Sequence, residues 1–579
     1  MERLARSALV VSVLVALLVV PVGGAVGADR IVENIHINPT PDEQGSFEST
    51  HSYDLPPRVT KLEITVPSLK EDVTVVETGE FTRTDETTLV WEGGGGTPSF
   101  TLRAPAGRTQ MNDRSAVEVS DWGFYAAPST QPRWWYSHGS SPGYTERLTI
   151  AGGGYAGDDL GYVGDHTRHQ RTVDGVEITV VVAEDADSED SGDRIAQLLR
   201  NATRDFSTGN QYDRATAFVL PAARTDFDAT GRSYGTSFWV DDDQTKTHAV
   251  DSTVTHEFVH SRVGSFPNGT SAWLTEAFAE YYGAYLILND GSSTFHDFRA
   301  HVTTEEYDPG GTGVVLTDQS SWEGTDADYR KGANVLAALD AKIRKATDGE
   351  RTLQHVLALR FETDRYNGLQ TYADFRRAVV AVSGSESVGN WLDTYAKTEA
   401  VPTVPDNPHM YTAGPDRDPD SDALPNKLEQ RAGTNPFDPD ADDDGMTDGV
   451  ENRSGIEPLD PDTDDDGLDD GGEREAGLDP TNPDWDDDGL TDGEELERGT
   501  DPKSADTDGD GTLDGEDEYP DGGTPTPTAT PTPEPTTDTS TDQRVSTPTA
   551  TPGGTGPGFS ALLALGAVVA GAVALARRP

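Results

Sequence analysis

The chain has 579 residues, which is too many for one ordinary hydrophobic core and predicts two or three folded units with tails. It carries 103 acidic and 44 basic side chains, a formal net charge of -59. A surface this acidic repels phosphate backbones, so nucleic acid is excluded as a partner. Cysteine is absent, which excludes disulfides and any thiolate nucleophile or metal ligand.

The N-terminal segment has the three parts of a secretory signal peptide. Arg3 and Arg6 precede an apolar run over 8–20, and small residues follow it over 23–28. A permanent membrane helix is the alternative, but the apolar run is short for that purpose. We therefore expect residues 1–28 to be cleaved near Ala28 and the rest of the chain to be exported.

A motif for metal chemistry lies at residues 255–260, Thr-His-Glu-Phe-Val-His. Its apolar neighbours suit a buried helix, and histidines four residues apart lie on one helical face. His256 and His260 can therefore both reach one zinc ion, with Glu257 directed to the same cavity as a general base.

A second predicted helix, 273–282, carries two more carboxylates. Glu276 is expected to be the third zinc ligand, and Glu280, one turn later, to orient a ligand histidine from behind. The alternative is that both glutamates only solvate an amphipathic helix. Among the remaining histidines, His301 has no partner at ligand spacing and is interpreted as a surface or packing residue.

These residues resemble the gluzincin metallopeptidases, and among them the aminopeptidase N and glycyl aminopeptidase type. That family pairs HExxH with a downstream W-x-x-E-G-F/L-A segment, which residues 273–279 match except for Ala277 in place of glycine. Residues 329–333, Tyr-Arg-Lys-Gly-Ala, look like the family's Tyr-x-Lys-Gly-Ala helix start. The resemblance implies one catalytic zinc, a peptide or protein substrate, and Tyr329 as the residue that stabilises the oxyanion. A structural tyrosine is the alternative.

The resemblance covers about 160–403 and implies a multidomain chain with a thermolysin-like α+β gluzincin domain at 161–405, closed by a helical segment. A β-rich N-terminal domain, 29–160, precedes it. The segment Gly235-Thr236-Ser237-Phe238 resembles the edge strand that pairs with extended substrate. It lacks the glutamate that holds the amino group of an aminopeptidase substrate, so aminopeptidase and endopeptidase both stay open.

Residues 416–520 repeat an acidic motif five times with a 22-residue period. In the last four copies carboxylates occupy places 1, 3, 5, 9 and 12 around a glycine at place 6, as in calcium-binding loops. The first copy is degenerate, because Ala423 replaces the glycine and Asn426 the ninth-place aspartate. About ten residues between loops are too few for paired helix-loop-helix units, and the segments resemble thrombospondin type 3 calcium repeats.

The repeats therefore predict several structural calcium ions that stiffen a spacer, with an acidic, solvated linker as the alternative. The predicted calcium ligands are Asp440, Asp442, Asp444, Asp448, Glu451, Asp462, Asp464, Asp466, Asp470, Glu473, Asp484, Asp486, Asp488, Asp492, Glu495, Asp506, Asp508, Asp510, Asp514 and Asp517.

The C-terminal end predicts attachment to a membrane. A disordered Thr/Pro-rich stalk, 521–556, leads to Pro-Gly-Phe, an apolar helix and two arginines within 557–579. This order resembles the PGF-CTERM sorting signal of salt-loving archaea, which implies an archaeosortase as a processing partner and a lipid in place of the membrane helix. The expected location is secreted and anchored at the outer cell surface, whether the helix is retained or replaced.

These expectations together describe a cell-surface zinc metallopeptidase. The competing hypothesis is a catalytically inactive, calcium-dependent surface adhesion or envelope protein.

Overall fold

The computed structural model describes residues 29–522 apart from short gaps. The gaps are 40–45, 71–72, 107–115, 119–121, 210–212, 223–228, 268, 304–312, 323 and 362–366, and for 116–118 only the backbone is described. The predicted signal peptide, nearly all of the stalk and the terminal segment 557–579 lie outside the described residues. Within the described part of the chain, no helix is both long and apolar enough to cross a membrane.

The N-terminal region consists of strands, as predicted. Its strands are β1 (Arg30–Pro39), β2 (Ser46–Asp54), β3 (Val59–Thr65), β4 (Thr74–Glu77), β5 (Thr82–Arg83), β6 (Thr88–Glu92), β7 (Ser99–Pro105), β8 (Ala116–Glu118), β9 (Gly123–Ala126), β10 (Gln131–Tyr136), β11 (Gly143–Ile150), β12 (Tyr155–Ala156) and β13 (Leu160–Val163). They form three sheets, ordered β11-β1-β2-β7-β4, β10-β3-β6-β5 and β12-β13-β9-β8. Burial alternates along β2, as a strand with one face on a core requires.

A mixed five-stranded sheet follows and supports the candidate site. Its strands are β14 (His166–Val173), β15 (Val176–Ala183), β16 (Arg214–Leu220), β17 (Gly231–Tyr234) and β18 (Ser237–Asp241), ordered β14-β15-β16-β18-β17. The central strands β15, β16 and β18 are parallel. Phe238 faces the helical core, whereas Phe218 and Trp239 face aromatic residues of the N-terminal strands. Because both faces are covered, every residue of β18 is buried.

The helical part packs on that sheet. Its helices are α1 (Gly192–Asp205), α2 (Thr253–Val263), α3 (Leu274–Asn289), α4 (Phe295–Val302), α5 (Ala327–Ala346), α6 (Leu353–Ala358), α7 (Tyr372–Ser383) and α8 (Glu386–Ala396). Helix α3 is apolar on nearly all sides and lies in the middle of the core between α2 and α5. Small residues bring α3 and α5 together, since a Cβ on Gly332 would stand 2.5 Å from the Cβ of Ala277.

Each of the first four acidic repeats contains one short helix. These are α9 (Asn426–Ala432), α10 (Asp448–Ser454), α11 (Asp470–Ala476) and α12 (Asp492–Arg498). Every one of them ends at a glycine with φ between 76° and 91°, a left-handed conformation that glycine adopts without strain. The array is joined to the helical part, because Phe437 stacks on Phe295 of α4 with ring centroids 6.4 Å apart.

The contact between α3 and α5 gives a stability prediction. Gly332→Val should force the two helices apart and lower the unfolding free energy by about 1–3 kcal/mol, the usual cost of overpacking a core. The measurement is the thermal unfolding midpoint. Ala346→Val, at the exposed end of the same helix, adds the same branched side chain and should leave the midpoint nearly unchanged. Equal midpoints for the two variants would show that the contact is not tight.

Candidate metal centre and active site

Helix α2 carries three functional side chains, and two of them, His256 and Glu257, line one cavity. It begins after Ser252 and ends at Gly264, whose φ of 67° turns the chain back toward α3. His256 and His260, one turn apart, are partly buried, and Glu257 is 8% exposed. The buried face of α2 therefore carries polar groups where a packing helix would carry apolar ones.

Three electron-pair donors from α2 and α3 converge on one point. The Nε2 atoms of His256 and His260 are 3.1 Å apart. The Oε2 atom of Glu276 lies 3.1 Å from Nε2 of His260 and 3.3 Å from Nε2 of His256. The structure thus brings together the three residues that the sequence predicts as zinc ligands.

These separations fit zinc. Ligands placed about 2.0–2.1 Å from a tetrahedral ion stand about 3.3 Å from one another, close to what the three atoms show. Two imidazoles and one carboxylate are also a donor set found at catalytic zinc, and three protein ligands leave a fourth position open. His256, His260 and Glu276 are therefore able to hold one zinc ion.

A further layer of contacts orients the histidines. Glu280 Oε2 lies 3.4 Å from Nδ1 of His256, and its Oε1 lies 3.0 Å from Nε2 of His301 on α4. Glu280 thus bridges a predicted ligand and a histidine from another helix. Such contacts fix the ring orientation of metal ligands.

The charges of the cluster favour paired ionised groups in the metal-free protein. Burial disfavours the charged imidazole, but hydrogen bonds to Glu276 and Glu280 outweigh it and raise the pKa of His256 to about 10. Burial likewise opposes ionisation of the glutamates, but their histidine partners lower the pKa of Glu280 to about 2 and that of Glu276 further. A metal ion must therefore displace a proton from His256 in order to bind.

Two more groups face the cavity beside this cluster. Burial raises the pKa of the Glu257 carboxyl. The Tyr329 ring stacks on His256 with centroids 5.8 Å apart, and burial together with the negative charge of Glu276 raises the pKa of its phenol. Glu257 and Tyr329 both line the cavity, whose volume is about 310 Å³. A base and a hydrogen-bond donor thus lie next to the proposed metal position.

The start of α5 is anchored so that Tyr329 stays at the cavity. The ammonium group of Lys331 donates hydrogen bonds to the carbonyl oxygens of Val314, at 2.6 Å, and Thr398, at 2.7 Å. Burial lowers the pKa of Lys331 to about 8. The lysine of the Tyr-Arg-Lys-Gly-Ala segment therefore has a structural role: it ties the helix start to two loops.

The sequence predicted that Gly235, Thr236, Ser237 and Phe238 form the edge strand that binds substrate, and this prediction is wrong. Gly235 and Thr236 form the turn between β17 and β18, while Ser237 and Phe238 begin β18, which is paired on both sides. Among the described residues, the edge of the sheet beside the cavity is β17, Gly231–Tyr234. The sequence contained a signal for this, since a glycine in a two-residue connection between strands is typical of a hairpin, and in the structure Gly235 has the positive φ of such a turn.

Two residues at the site were missed by sequence reasoning. His301 was interpreted as a surface or packing residue, and only the fold brings it to Glu280. Gly231 carries no motif, yet a Cβ on it would stand 3.0 Å from Cγ of Glu257. Its missing side chain lets β17 approach the predicted base.

No protein-family model matches this chain, and no curated protein matches it. Among solved structures, it is similar to an M1 zinc metallopeptidase from Deinococcus radiodurans, with 14% identity, a TM-score of 0.43 and coverage of 65% of this chain and 96% of that one. A variant of that enzyme bound to a Tyr-ser-ala substrate gives the same values. An aminopeptidase N family protein from Idiomarina loihiensis has 13% identity and a TM-score of 0.37, over 64% of this chain and 74% of that one. Likeness at this level leaves the function to be argued from the site.

The donor geometry predicts one tight zinc site with a defined pH dependence. Chelator-stripped protein, titrated with zinc against a coloured chelator in the presence of calcium, should bind one ion. Because the imidazole of His256 must lose a proton, affinity should rise about tenfold per pH unit from about pH 7 toward its pKa.

Glu276→Gln removes a direct ligand and should weaken zinc binding by more than the 10- to 100-fold typical of outer contacts, that is by roughly 100-fold or more. His296→Ala, an exposed histidine on α4, is the matched control and should bind zinc like the unaltered protein. Unchanged zinc affinity in Glu276→Gln would show that this carboxylate is not a zinc ligand.

Proposed function

We propose that the protein is a zinc-dependent metallopeptidase that hydrolyses peptide bonds. The observation that carries the proposal is the meeting of two imidazole nitrogens and one carboxylate oxygen within 3.1–3.3 Å. One of these residues, His256, lines a cavity that Glu257 and Tyr329 also line. The thermolysin-like gluzincin relationship inferred from the sequence belongs to the same proposal.

Each residue has a separate task in this mechanism. When bound, zinc would polarise the scissile carbonyl and lower the pKa of water at the site. Glu257, whose pKa is raised by burial, accepts a proton from the attacking water and passes it to the leaving nitrogen. Tyr329 stays protonated because its pKa is raised, so its phenol donates a hydrogen bond to the oxyanion. Glu280 and His301 hold the His256 ring in place.

Strand β17 is the proposed docking edge for substrate. It lies at the end of the sheet order, and Gly231 belongs to the cavity wall. An extended peptide can pair its backbone with such an edge, which suits a peptide or protein substrate. Gly231 keeps the paired peptide close to Glu257, since any side chain there would occupy the space beside the carboxyl group.

The location and the remaining partners are proposed from the sequence. The signal peptide and the PGF-CTERM-like segment favour export, processing by an archaeosortase and attachment at the outer cell surface. The acidic repeats are proposed to bind structural calcium.

Intact-mass analysis of the protein extracted from membranes tests the anchoring: a species that retains 557–579 without lipid would contradict processing.

The base assignment gives the test of the whole proposal. Glu257→Gln keeps the size and burial of the side chain but cannot accept a proton, so peptide hydrolysis should fall by at least about 10²-fold. The measurement is digestion of a peptide library in high salt, together with zinc content, which should stay at one ion per chain.

Glu177→Gln, an exposed glutamate on β15, is the matched control and should digest peptides normally. Full activity in Glu257→Gln would refute the mechanism. If the unaltered, zinc-loaded protein cuts nothing in the library, the inactive adhesion or envelope protein becomes the better hypothesis.

Tyr329 gives an independent prediction. Tyr329→Phe keeps the ring that stacks on His256 and removes only the phenol, so kcat should fall by roughly 10²- to 10³-fold, the usual loss for one oxyanion donor. KM and zinc content should change little. Tyr136→Phe, on an exposed position of β10, is the control. An unchanged kcat in Tyr329→Phe would leave this tyrosine a structural role only.

A further inference from the structure

The first acidic loop, which the sequence marks as degenerate, folds like the others. Its sixth residue, Ala423, has φ of 75°, close to the left-handed conformation that glycine adopts in the other four loops. The N–H of Ala423 donates to Asp418 Oδ2 at 3.1 Å, and the equivalent bond from Gly445 to Asp440 is 3.0 Å. The replacement of glycine has therefore not changed the path of the chain around the carboxylates.

Carboxylates of this loop lie within ligand distance of one another. The ligand oxygens of Asp418, Asp420 and Asp422 are mutually within 4.8 Å, as are those of Asp440, Asp442 and Asp444 in the next loop. Glu429, the twelfth residue, is fully buried, and neither of its carboxylate oxygens has a hydrogen-bond partner. A buried carboxylate without a partner requires a cation or a proton.

The ninth-place aspartate of the third loop, Asp470, faces the second loop. Ligand oxygens of Asp444, Glu451 and Asp470 lie within 4.8 Å of one another, although Asp470 belongs to the following repeat. Within its own loop, Thr463 donates hydrogen bonds to both oxygens of Asp470, from its N–H to Oδ1 and from its hydroxyl to Oδ2. The second loop is thus completed by an aspartate of the third loop, which stands 22 residues after the ninth place of the second.

The same arrangement holds for the first loop. Oδ1 of Asp448 accepts a hydrogen bond from Ala441 in its own loop, while its buried Oδ2 has no hydrogen-bond partner. The N–H of Gly449, next to Asp448, donates to Asp422 at 2.6 Å, which joins the second repeat to the first loop. With burial, the facing carboxylates of Asp420, Asp422 and Asp448 raise the pKa of Glu429 to about 9.

The fifth loop differs. Asp508 and Asp510 are exposed, and Oδ1 of Asp517 accepts a hydrogen bond from Tyr519. None of its first-, third-, fifth- or twelfth-place carboxylates is among the buried oxygens that lack a partner, whereas all four earlier loops contain such oxygens. Asp514, which is buried, stands in the place that completes the fourth loop.

We propose that the first loop holds a calcium ion between Asp418, Asp420, Asp422, Glu429 and Asp448, and that the complete calcium sites are those of the first four loops. Oxygen donors in this number suit Ca²⁺. Asn426 does not impair the first site, because the ninth-place residue serves the loop before it. The predicted ligands of the fifth loop, apart from Asp514, belong to an incomplete site.

The first site lies where the repeats meet the helical part. Arg417, directly before the loop, donates a hydrogen bond to the buried Asp205 of α1 at 2.9 Å. Phe437, between the first and second loops, packs on Phe295 of α4 and belongs to the core of the helical part. Calcium in this loop would therefore stabilise the junction as well as the array.

The test counts bound calcium in the full chain, stripped with chelator, reloaded with one zinc, and equilibrated with calcium in high salt. The unaltered protein should hold four tight calcium ions. Glu429→Gln should hold three and lower the thermal midpoint, whereas Asp517→Asn should still hold four. Five ions in the unaltered protein with one lost in Asp517→Asn, or four ions in Glu429→Gln, would overturn the proposal.

Terbium emission tests the shared ligand independently of the first loop. Trp485 lies inside the fourth loop and is the one tryptophan between 416 and 520 in the sequence, so it sensitises terbium bound there. Asp514→Asn should reduce this emission if the ninth-place aspartate serves the preceding loop. Asp517→Asn should not. Unchanged emission in Asp514→Asn would show that each loop uses only its own residues. Asp420→Asn provides a second variant of the first loop if Glu429→Gln fails to fold.

Discussion

The proposed activity depends on three lone pairs, from His256, His260 and Glu276, that point at one another across 3.1–3.3 Å. Two imidazole nitrogens and a carboxylate oxygen have no reason to approach so closely unless protons or a cation lie between them. Bringing them together requires α2 and α3 to pack tightly, and Gly283 of α3 allows this, since a Cβ on it would stand 3.4 Å from the backbone nitrogen of His256. The chemistry of the site is thus tied to the packing of the core beneath it.

Buried negative charge is compensated differently in the helical part and in the acidic repeats. In the helical part, the buried Asp340 has a cationic partner, Arg344 at 3.2 Å, and a hydrogen-bond donor, Tyr281 at 2.8 Å. In the repeats, glutamates are buried at the same depth without any partner, Glu451 and Glu473 among them. Under the calcium proposal, a cation from solution provides the counter-charge that the repeats lack in their own side chains.

Sequence reasoning reached the residues whose relation is local. Histidines four apart, a glutamate near the start of the next helix and a 22-residue period all follow from helix geometry or repetition, and the structure places them accordingly. Residues joined only by the fold could not be found this way. His301 reaches Glu280 from a separate helix, and no spacing rule links the two.

Two further differences have identifiable physical causes. The edge strand was misplaced because the turn at Gly235, with its positive φ, was included in the strand it precedes. The first repeat was interpreted as degenerate partly because its ninth-place residue, Asn426, was taken as a ligand of its own loop. The backbone holds Ala423 in a left-handed conformation that glycine prefers. The replacement of glycine by alanine therefore does not mean that the loop is absent.

The backbone bond from each repeat to a carboxylate 27 residues earlier, seen at Gly449, Gly471, Gly493 and Gly515, sets how such an array can vary. Duplication or loss of a whole unit leaves the contacts between the remaining units the same. The length of the array can therefore change by whole repeats without any change to the residues that join them. A deletion that ends inside a unit disrupts the contacts with both neighbouring units. Tandem duplication of whole units is therefore the change in length that this part of the chain tolerates best.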